Sequence, residues 1–267
     1  MLTALLGLCT AITYGAADFF AAIASRKVRV VVVTALASLT GLIVLLALTP
    51  VLGAKFSDEA FFWGLMGGFS SVVALLALYA SLALGPISIV SPLGALLSAI
   101  VPAVIGVALL GENFSFVGWR PKPRAFILAI FAGTGIGLVF TALARSPHDS
   151  GIAPIIVMRT TASVLLGAIV LFGMWRGQKA SAAENKEPLD RKIWLTVAGA
   201  GGLDAMANIF FTLASRTGSL TVTGVLTALY PLGTIILARI VLKEHVAGIQ
   251  KIGIALTLGA SLLLALA

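Results

Sequence analysis

The sequence predicts an all-α integral membrane protein with about nine transmembrane helices. Three observations predict this class: 60% of the 267 residues are apolar, only 10% are charged, and the mean hydropathy is +1.11. Soluble globular domains are less apolar than this. A helix needs about 20 apolar residues to cross a bilayer, because lipid offers no hydrogen-bond partner to a free backbone group.

Long apolar runs set the expected number of helices. A β-barrel would instead show alternating segments of about 10 residues. The first run lacks a basic leader, so we interpret it as a retained helix rather than a cleaved signal peptide. The runs cover residues 2–24, 30–53, 60–84, 87–110, 125–144, 152–175, 193–214, 219–242 and 249–267.

The net charge of +8 is concentrated between the apolar runs, which indicates membrane topology and no nucleic-acid partner. With nine helices, most Lys and Arg residues fall on the side of loops 54–59, 111–124, 176–192 and 243–248. Because cytoplasmic loops are positive, this topology predicts an N-terminus inside and a C-terminus outside. It also places the four tryptophans at one interface: Trp63, Trp119, Trp175 and Trp194.

Two stretches, residues 85–112 and 218–244, repeat one pattern: a glycine turn, an apolar run with internal proline, and a closing glutamate. The prolines are Pro92 and Pro102 in the first stretch and Pro231 in the second. Proline removes an intrahelical hydrogen bond and can bend a helix. Bends at matching stages of two repeats point to a substrate site near the middle of the membrane. A static kink is the alternative.

Asp204 and Asn208 are the strongest site signal in the sequence. They lie four residues apart, on one helical face, deep in the seventh run. A charge at the bilayer centre costs about 2.5–3.5 kcal/mol on insertion scales. Such a residue therefore faces a wet cavity or a partner. We predict substrate or proton binding, with a structural pair on a neighbouring helix as the alternative.

Three further polar residues are candidates for the same site. Tyr14 and Asp18 share one face of the first helix, and Asp18 either reaches the interface or lines a cavity. Arg159 lies near the start of the sixth run, where it either extends to the interface or binds an anion. The single cysteine, Cys9, can neither pair within the chain nor build a metal site. We expect no metal and no cofactor.

The order and spacing of several motifs resemble the EamA-type permeases of the drug/metabolite transporter superfamily. These motifs are the Gly85-Pro86-x-Ser88 turn, Ser91-Pro92-Leu93, Leu110-Gly111-Glu112, Leu229-Tyr230-Pro231 and Lys243-Glu244. Tyr14, Asp18 and Arg159 also look like positions of that family, and the likeness covers nearly the whole chain. It implies a 5+5 inverted repeat in a bacterial plasma membrane that moves small polar metabolites, often outward.

The first repeat departs from this pattern after Glu112. Where a fifth helix would follow, the chain reads Arg120-Pro121-Lys122-Pro123-Arg124, and two prolines with three cations cannot open a membrane span. We therefore expect a 4+5 arrangement, with residues 1–119 as a truncated first repeat and 125–267 as the second. Four helices return the chain to its starting side, so the two repeats would run in the same direction.

The leading hypothesis is a carrier that works by alternating access on a small-molecule substrate in a lipid bilayer, with homodimerisation left open. Its polar lining would be Asp204, Asn208, Asp18, Tyr14 and Arg159. The alternatives are a non-transporting remnant of such a permease and a membrane enzyme acting on lipid head groups. Enzymatic chemistry needs convergent acid, base or metal ligands. His148 and His245 fall on opposite faces in the nine-helix topology, so we do not expect an enzyme.

Overall fold

The structure is a computed structural model that describes residues 1–84, 123–176, 190–218 and 220–243. These residues form an all-α membrane bundle. A short 3-10 turn, His148–Ser150, joins the fourth and fifth helices. The helices are α1 (Leu2–Lys27), α2 (Val30–Leu52), α3 (Asp58–Leu84), α4 (Pro123–Arg145), α5 (Ala153–Trp175), α6 (Arg191–Thr217), α7 (Leu220–Thr227) and α8 (Tyr230–Val241).

Seven of the nine predicted apolar runs fall within the described residues, and all seven are helical. Six candidate spans there are long and apolar enough to cross a membrane, with α7 and α8 together supplying one, Val222–Val241. The remaining described run is α4, within which Phe131–Arg145 forms a shorter apolar segment. Runs 87–110 and 249–267, with Pro92, Pro102 and the expected loss of a fifth helix, lie outside the described residues.

Large apolar side chains cover the outer surface of the bundle. Ile43 and Leu46 on α2, Phe69 on α3 and Val164 on α5 are exposed, whereas the interior contains small and polar residues such as Ser38 and Thr34. A soluble monomer rarely exposes apolar patches of this extent. Lipid would cover this surface.

Two helix pairs pack antiparallel, because residue numbers rise along one helix and fall along the other at successive contacts. The contacts are Thr3–Thr217 and Tyr14–Asn208 between α1 and α6, and Gly67–Ala142 and Ala74–Gly135 between α3 and α4. Two other pairs pack parallel. Their contacts are Ala37–Gly201 and Gly41–Ala205 between α2 and α6, and Gly64–Val157 and Gly68–Thr161 between α3 and α5.

These contacts are reciprocal between the halves of the chain. The pair α1–α6 matches α4–α3, and α2–α6 matches α5–α3, as an approximate twofold relation requires. Arg216, at the end of α6, contacts Pro147, just after the end of α4, so α4 runs parallel to α6. Because α1 runs antiparallel to α6, α1 and α4 point in opposite directions. The repeats are therefore inverted, and the expectation that they run in the same direction is wrong. Leu84 and Pro123 accordingly lie at the same end of the bundle.

The helix directions separate the charges. We call the end at which α1 finishes and α6 begins the basic end. The opposite end, called the loop end, carries Lys55, Arg145 and Arg216. The described cations of the basic end are Arg26, Lys27, Arg29, Arg124, Arg176, Arg191, Lys192, Arg239 and Lys243.

Two predictions based on the nine-helix topology are therefore wrong. Loop 54–59 and residue Lys55 lie at the loop end, not beside the cations that flank loop 176–192. Trp63 lies near the loop end, whereas Trp175 and Trp194 lie at the basic end, so these tryptophans mark two interfaces rather than one. Both errors have one cause. The two halves of the chain run in opposite directions through the bundle, whereas the nine-helix topology gave them the same direction.

Candidate functional site

A cavity of about 50 Å³ lies midway along the bundle, between α1, α3, α4, α5, α6 and α8. Its apolar wall includes Leu75, Leu78 and Ile136. A bound water needs about 10–15 Å³ of such space, so the cavity has room for a few waters or a small solute. Its polar side chains are Tyr14, Asp18, Ser71, Arg159, Asp204, Asn208 and Tyr230.

Arg159 of α5 and Asp204 of α6 form an ion pair on the cavity wall. Arg159 is only 2% exposed and Asp204 only 5%, so neither charge is screened by bulk water. Arg159 therefore does not extend to the interface. Its Nε is buried without a hydrogen-bond partner among the described residues. The pair joins α5 and α6, two helices that each pack against α2, through their side chains at the cavity.

Asn208 connects this ion pair to α1. Its Nδ2 donates to the Asp204 backbone oxygen at 2.6 Å and to Asp204 Oδ2 at 3.2 Å, one helical turn away. Its Oδ1 accepts a hydrogen bond of 3.0 Å from the Tyr14 hydroxyl. Four side chains from α1, α5 and α6 therefore form one continuous polar network.

Asp18 lies one turn beyond Tyr14 on the cavity side of α1 and is 5% exposed. Within the described residues its carboxyl group has no hydrogen bond and no ion-pair partner. It therefore does not reach the interface. An isolated carboxylate is costly to bury. Asp18 is therefore the acidic group of the cavity wall whose charge is not compensated by a described neighbour.

The span that contains Pro231 is interrupted at the cavity. Helix α7 ends at Thr227, and α8 begins at Tyr230 with Pro231 in its first turn, a position where the missing N–H costs nothing. Gly15 of α1 packs directly on the Tyr230 carbonyl, and Thr234 Oγ1 donates to the Gly15 oxygen at 3.1 Å. The interruption thus places Tyr230 against α1 and in the cavity wall.

Aromatic rings form another side of the site. Phe140 of α4 lines the cavity, with its ring centroid 5.8 Å from that of Tyr14 and 4.5 Å from that of Phe211, on which it stacks. Offset aromatic pairs of this kind are favourable beyond the area they bury. The stack therefore contacts the ring of Tyr14, whose hydroxyl donates to Asn208.

Arg216 closes the bundle at the loop end. Its guanidinium donates to the backbone oxygens of Gly151 and Pro147, at 2.8 and 3.0 Å, and to Ser150 Oγ at 3.1 Å. A backbone bridge joins Ala54 to Gly151 in the same region. Arg216, in the last turn of α6, therefore joins this helix to the loop between α4 and α5, a contact that the sequence did not predict.

The structure brings all five predicted polar residues, Tyr14, Asp18, Arg159, Asp204 and Asn208, to one cavity. Sequence reasoning did not select Tyr230 or Phe140 as lining residues. Tyr230 had a signal, because it precedes the proline of the repeated motif. Phe140 had none, since phenylalanine is common throughout membrane helices. Among the described residues no group of three or more His, Cys, Asp or Glu side chains could hold a metal.

An apolar helical bundle with a buried ion pair and a central polar cavity is typical of a multi-spanning membrane transporter. The model of the EamA-like transporter family matches residues 1–120 and again 123–266. The chain belongs to this family, and the two matches show its internal repeat.

Solved structures also share the fold, and eight chains match. One of them, titled "Crystal structure of protein", is 18% identical to this chain, with a TM-score of 0.56, and the match covers 95% of this chain and 94% of that chain. This likeness concerns the fold alone. A search of curated proteins finds no match.

Proposed function

We propose that the protein is a carrier that moves a small polar solute across the membrane by alternating access to the central cavity. One observation carries this proposal. Ionisable and hydrogen-bonding side chains from α1, α5 and α6 converge on a cavity midway along the helices, where lipid would otherwise exclude them. Polar residues at the interface of inverted repeats are typical of solute sites in secondary transporters.

The two ends of the bundle support alternating access. At the loop end, Arg216 and the bridge between Ala54 and Gly151 hold neighbouring loops together. At the cavity, the break between α7 and α8 leaves Ala228 and Leu229 outside regular helix, a position able to absorb changes in backbone angle. Opening toward the loop end would require the Arg216 hydrogen bonds to break.

The distribution of charge supports one orientation. The basic end carries nine of the twelve cations at the two ends of the described helices, and cytoplasmic ends of membrane proteins are the positive ones. We therefore propose that the basic end faces the cytoplasm and that the first residues of the chain face outward. The resemblance to EamA-type permeases implies a bacterial plasma membrane and outward transport.

Solute exchange in liposomes tests this function. Purified full-length protein would be reconstituted with a panel of unlabelled cationic, anionic, zwitterionic and neutral solutes inside the vesicles, and entry of each labelled counterpart would be followed. We expect faster entry of at least one class than in protein-free liposomes. The Asp204→Asn variant, inserted to the same level, should lose that acceleration. No acceleration for any class would favour the non-transporting alternative.

A further inference from the structure

The ionisable groups that line the cavity do not balance. Among the described residues that line it, Asp18 and Asp204 are acidic and Arg159 is basic, so these side chains, when ionised, carry one excess negative charge. Arg159 is already paired with Asp204, and the excess therefore resides on Asp18. We infer, building on the proposed transport function, that the Asp18 side of the cavity binds a small organic cation through its ammonium group.

Two of the three tyrosines of the chain, Tyr14 and Tyr230, line the cavity together with Asp18. The third, Tyr79, is buried in the adjacent hydrophobic core. Aromatic rings attract cations through their electron-rich faces, and a site lined by several rings is a known way to hold an ammonium group. A carboxylate among tyrosines therefore offers both charge and π-surface to a cation.

Tyr230 supplies an independent sign of a missing ligand. Its hydroxyl is buried and has no hydrogen-bond partner among the described residues, although buried polar groups are normally paired. The residue lines the same cavity as Asp18. The hydroxyl oxygen can accept a hydrogen bond from an ammonium N–H, so a bound cation would satisfy both residues at once.

The size and the remaining wall of the cavity limit the cation. The space of about 50 Å³ suits a small alkylammonium ion better than a bulky one. Leu75, Leu78 and Ile136 would contact its alkyl part, while the ammonium group turns toward Asp18. An anion would meet the opposite situation, because the guanidinium of Arg159 is engaged with Asp204.

Three probes of similar size and different charge test the inference: methylammonium, acetate and glycine. Binding of each labelled probe to the purified full-length protein in detergent would be measured by equilibrium dialysis at neutral pH. We expect saturable binding of methylammonium and none of acetate. Asp18→Asn should weaken methylammonium binding at least about tenfold, which corresponds to 1.4 kcal/mol. Asp58→Asn, the same change at an exposed residue of α3, should leave it unchanged.

A second variant guards against a merely structural effect of the first. Tyr230→Phe keeps the ring and removes the hydroxyl, so we expect about fivefold weaker methylammonium binding, the effect of losing about one ordinary hydrogen bond. Absence of methylammonium binding to the unmodified protein would overturn the inference. So would equal affinity in Asp18→Asn, or a preference for glycine, which would instead indicate a zwitterion held between Asp18 and Arg159.

The inference and the proposed function fail in different ways. Methylammonium binding without exchange of any solute in liposomes would remove the transport function and leave the cation site. Accelerated exchange of other solutes, with no methylammonium binding, would remove the cation site and leave the transport function.

Discussion

Arg159 and Asp204 form an ion pair between α5 and α6, and both side chains are almost fully buried. Asn208 donates to the same carboxylate oxygen. Breaking a buried pair by removing one partner is strongly destabilising, because the remaining charge is left without compensation. The position of this pair on the cavity wall couples the packing of two helices to the chemistry of the site.

Replacement of the Asp204 carboxylate should abolish most transport. Asp204→Asn keeps the shape of the side chain but leaves Arg159 without its counter-charge, at a cost of about 3–5 kcal/mol for a buried pair. We expect the initial rate of solute exchange to fall by about tenfold or more, since 1.4 kcal/mol already corresponds to a factor of 10. The measurement is exchange in liposomes at equal protein insertion.

The matched control is Asp190→Asn on the same helix. Asp190 caps α6 by accepting a hydrogen bond from the Ile193 amide at 2.7 Å, and asparagine caps helices about as well. This variant should transport normally. Unchanged transport in Asp204→Asn would remove Asp204 from the site.

A double substitution separates the structural role of the pair from its functional role. Arg159→Met alone should lower the unfolding temperature, because Asp204 is then buried alone. Adding Asp204→Leu should restore most of it, since apolar pairs can replace buried ion pairs without loss of stability. Transport should remain absent in both. Additive losses in unfolding temperature would show that the two side chains do not depend on each other.

Close packing of α2 on α6 predicts different effects for two glycines of one helix. A Cβ on Gly201 would overlap the carbonyl oxygen of Ala37, whereas a Cβ on Gly199 would meet nothing within 4 Å. We expect Gly201→Ala to cost about 1–3 kcal/mol, as overpacking does. Gly199→Ala should be neutral or stabilise by about 0.5–1 kcal/mol, because alanine favours helix. Thermal unfolding in detergent measures both, and equal effects would contradict the packing.

Loss of the Arg216 contacts should loosen the loop end. In Arg216→Ala the oxygens of Pro147 and Gly151 lose their donor, so we expect faster amide hydrogen exchange over residues 146–152 and 53–55, which the backbone bridge joins. Arg145→Ala removes a neighbouring exposed arginine and serves as control. Unchanged exchange in Arg216→Ala, or an equal increase in the control, would contradict a specific closing role.

The inverted arrangement predicts where topology reporters will be active. A reporter that works only in the cytoplasm, inserted after Lys27 or after Arg176, should be active at both positions because both lie at the basic end. The same reporter inserted after Lys55 or after Arg145 should be inactive. Activity after both Lys55 and Arg176, together with inactivity after Lys27, would restore parallel repeats and refute the inverted packing.

The sequence by itself determined the class of protein, because apolar composition and run length are local properties that a bilayer requires of any spanning helix. It also identified Asp204 and Asn208, since a charged residue deep in an apolar run is costly in a membrane unless it faces a cavity or a partner. The likeness of residues 85–112 to 218–244 likewise predicted a repeat without any knowledge of contacts.

Only the tertiary structure decided the direction of the repeats and the partners of the buried charges. Whether Arg159 extends to the interface or pairs with Asp204 depends on how α5 and α6 are arranged around α2, and no periodicity along one helix reports that arrangement. The sequence also left open whether the first half has an odd or an even number of helices. Its direction relative to the second half was therefore predicted wrongly. The count of loop charges grouped Lys55 with loop 176–192 because it sums over an assumed topology, whereas inter-helix packing fixes the direction of each helix separately.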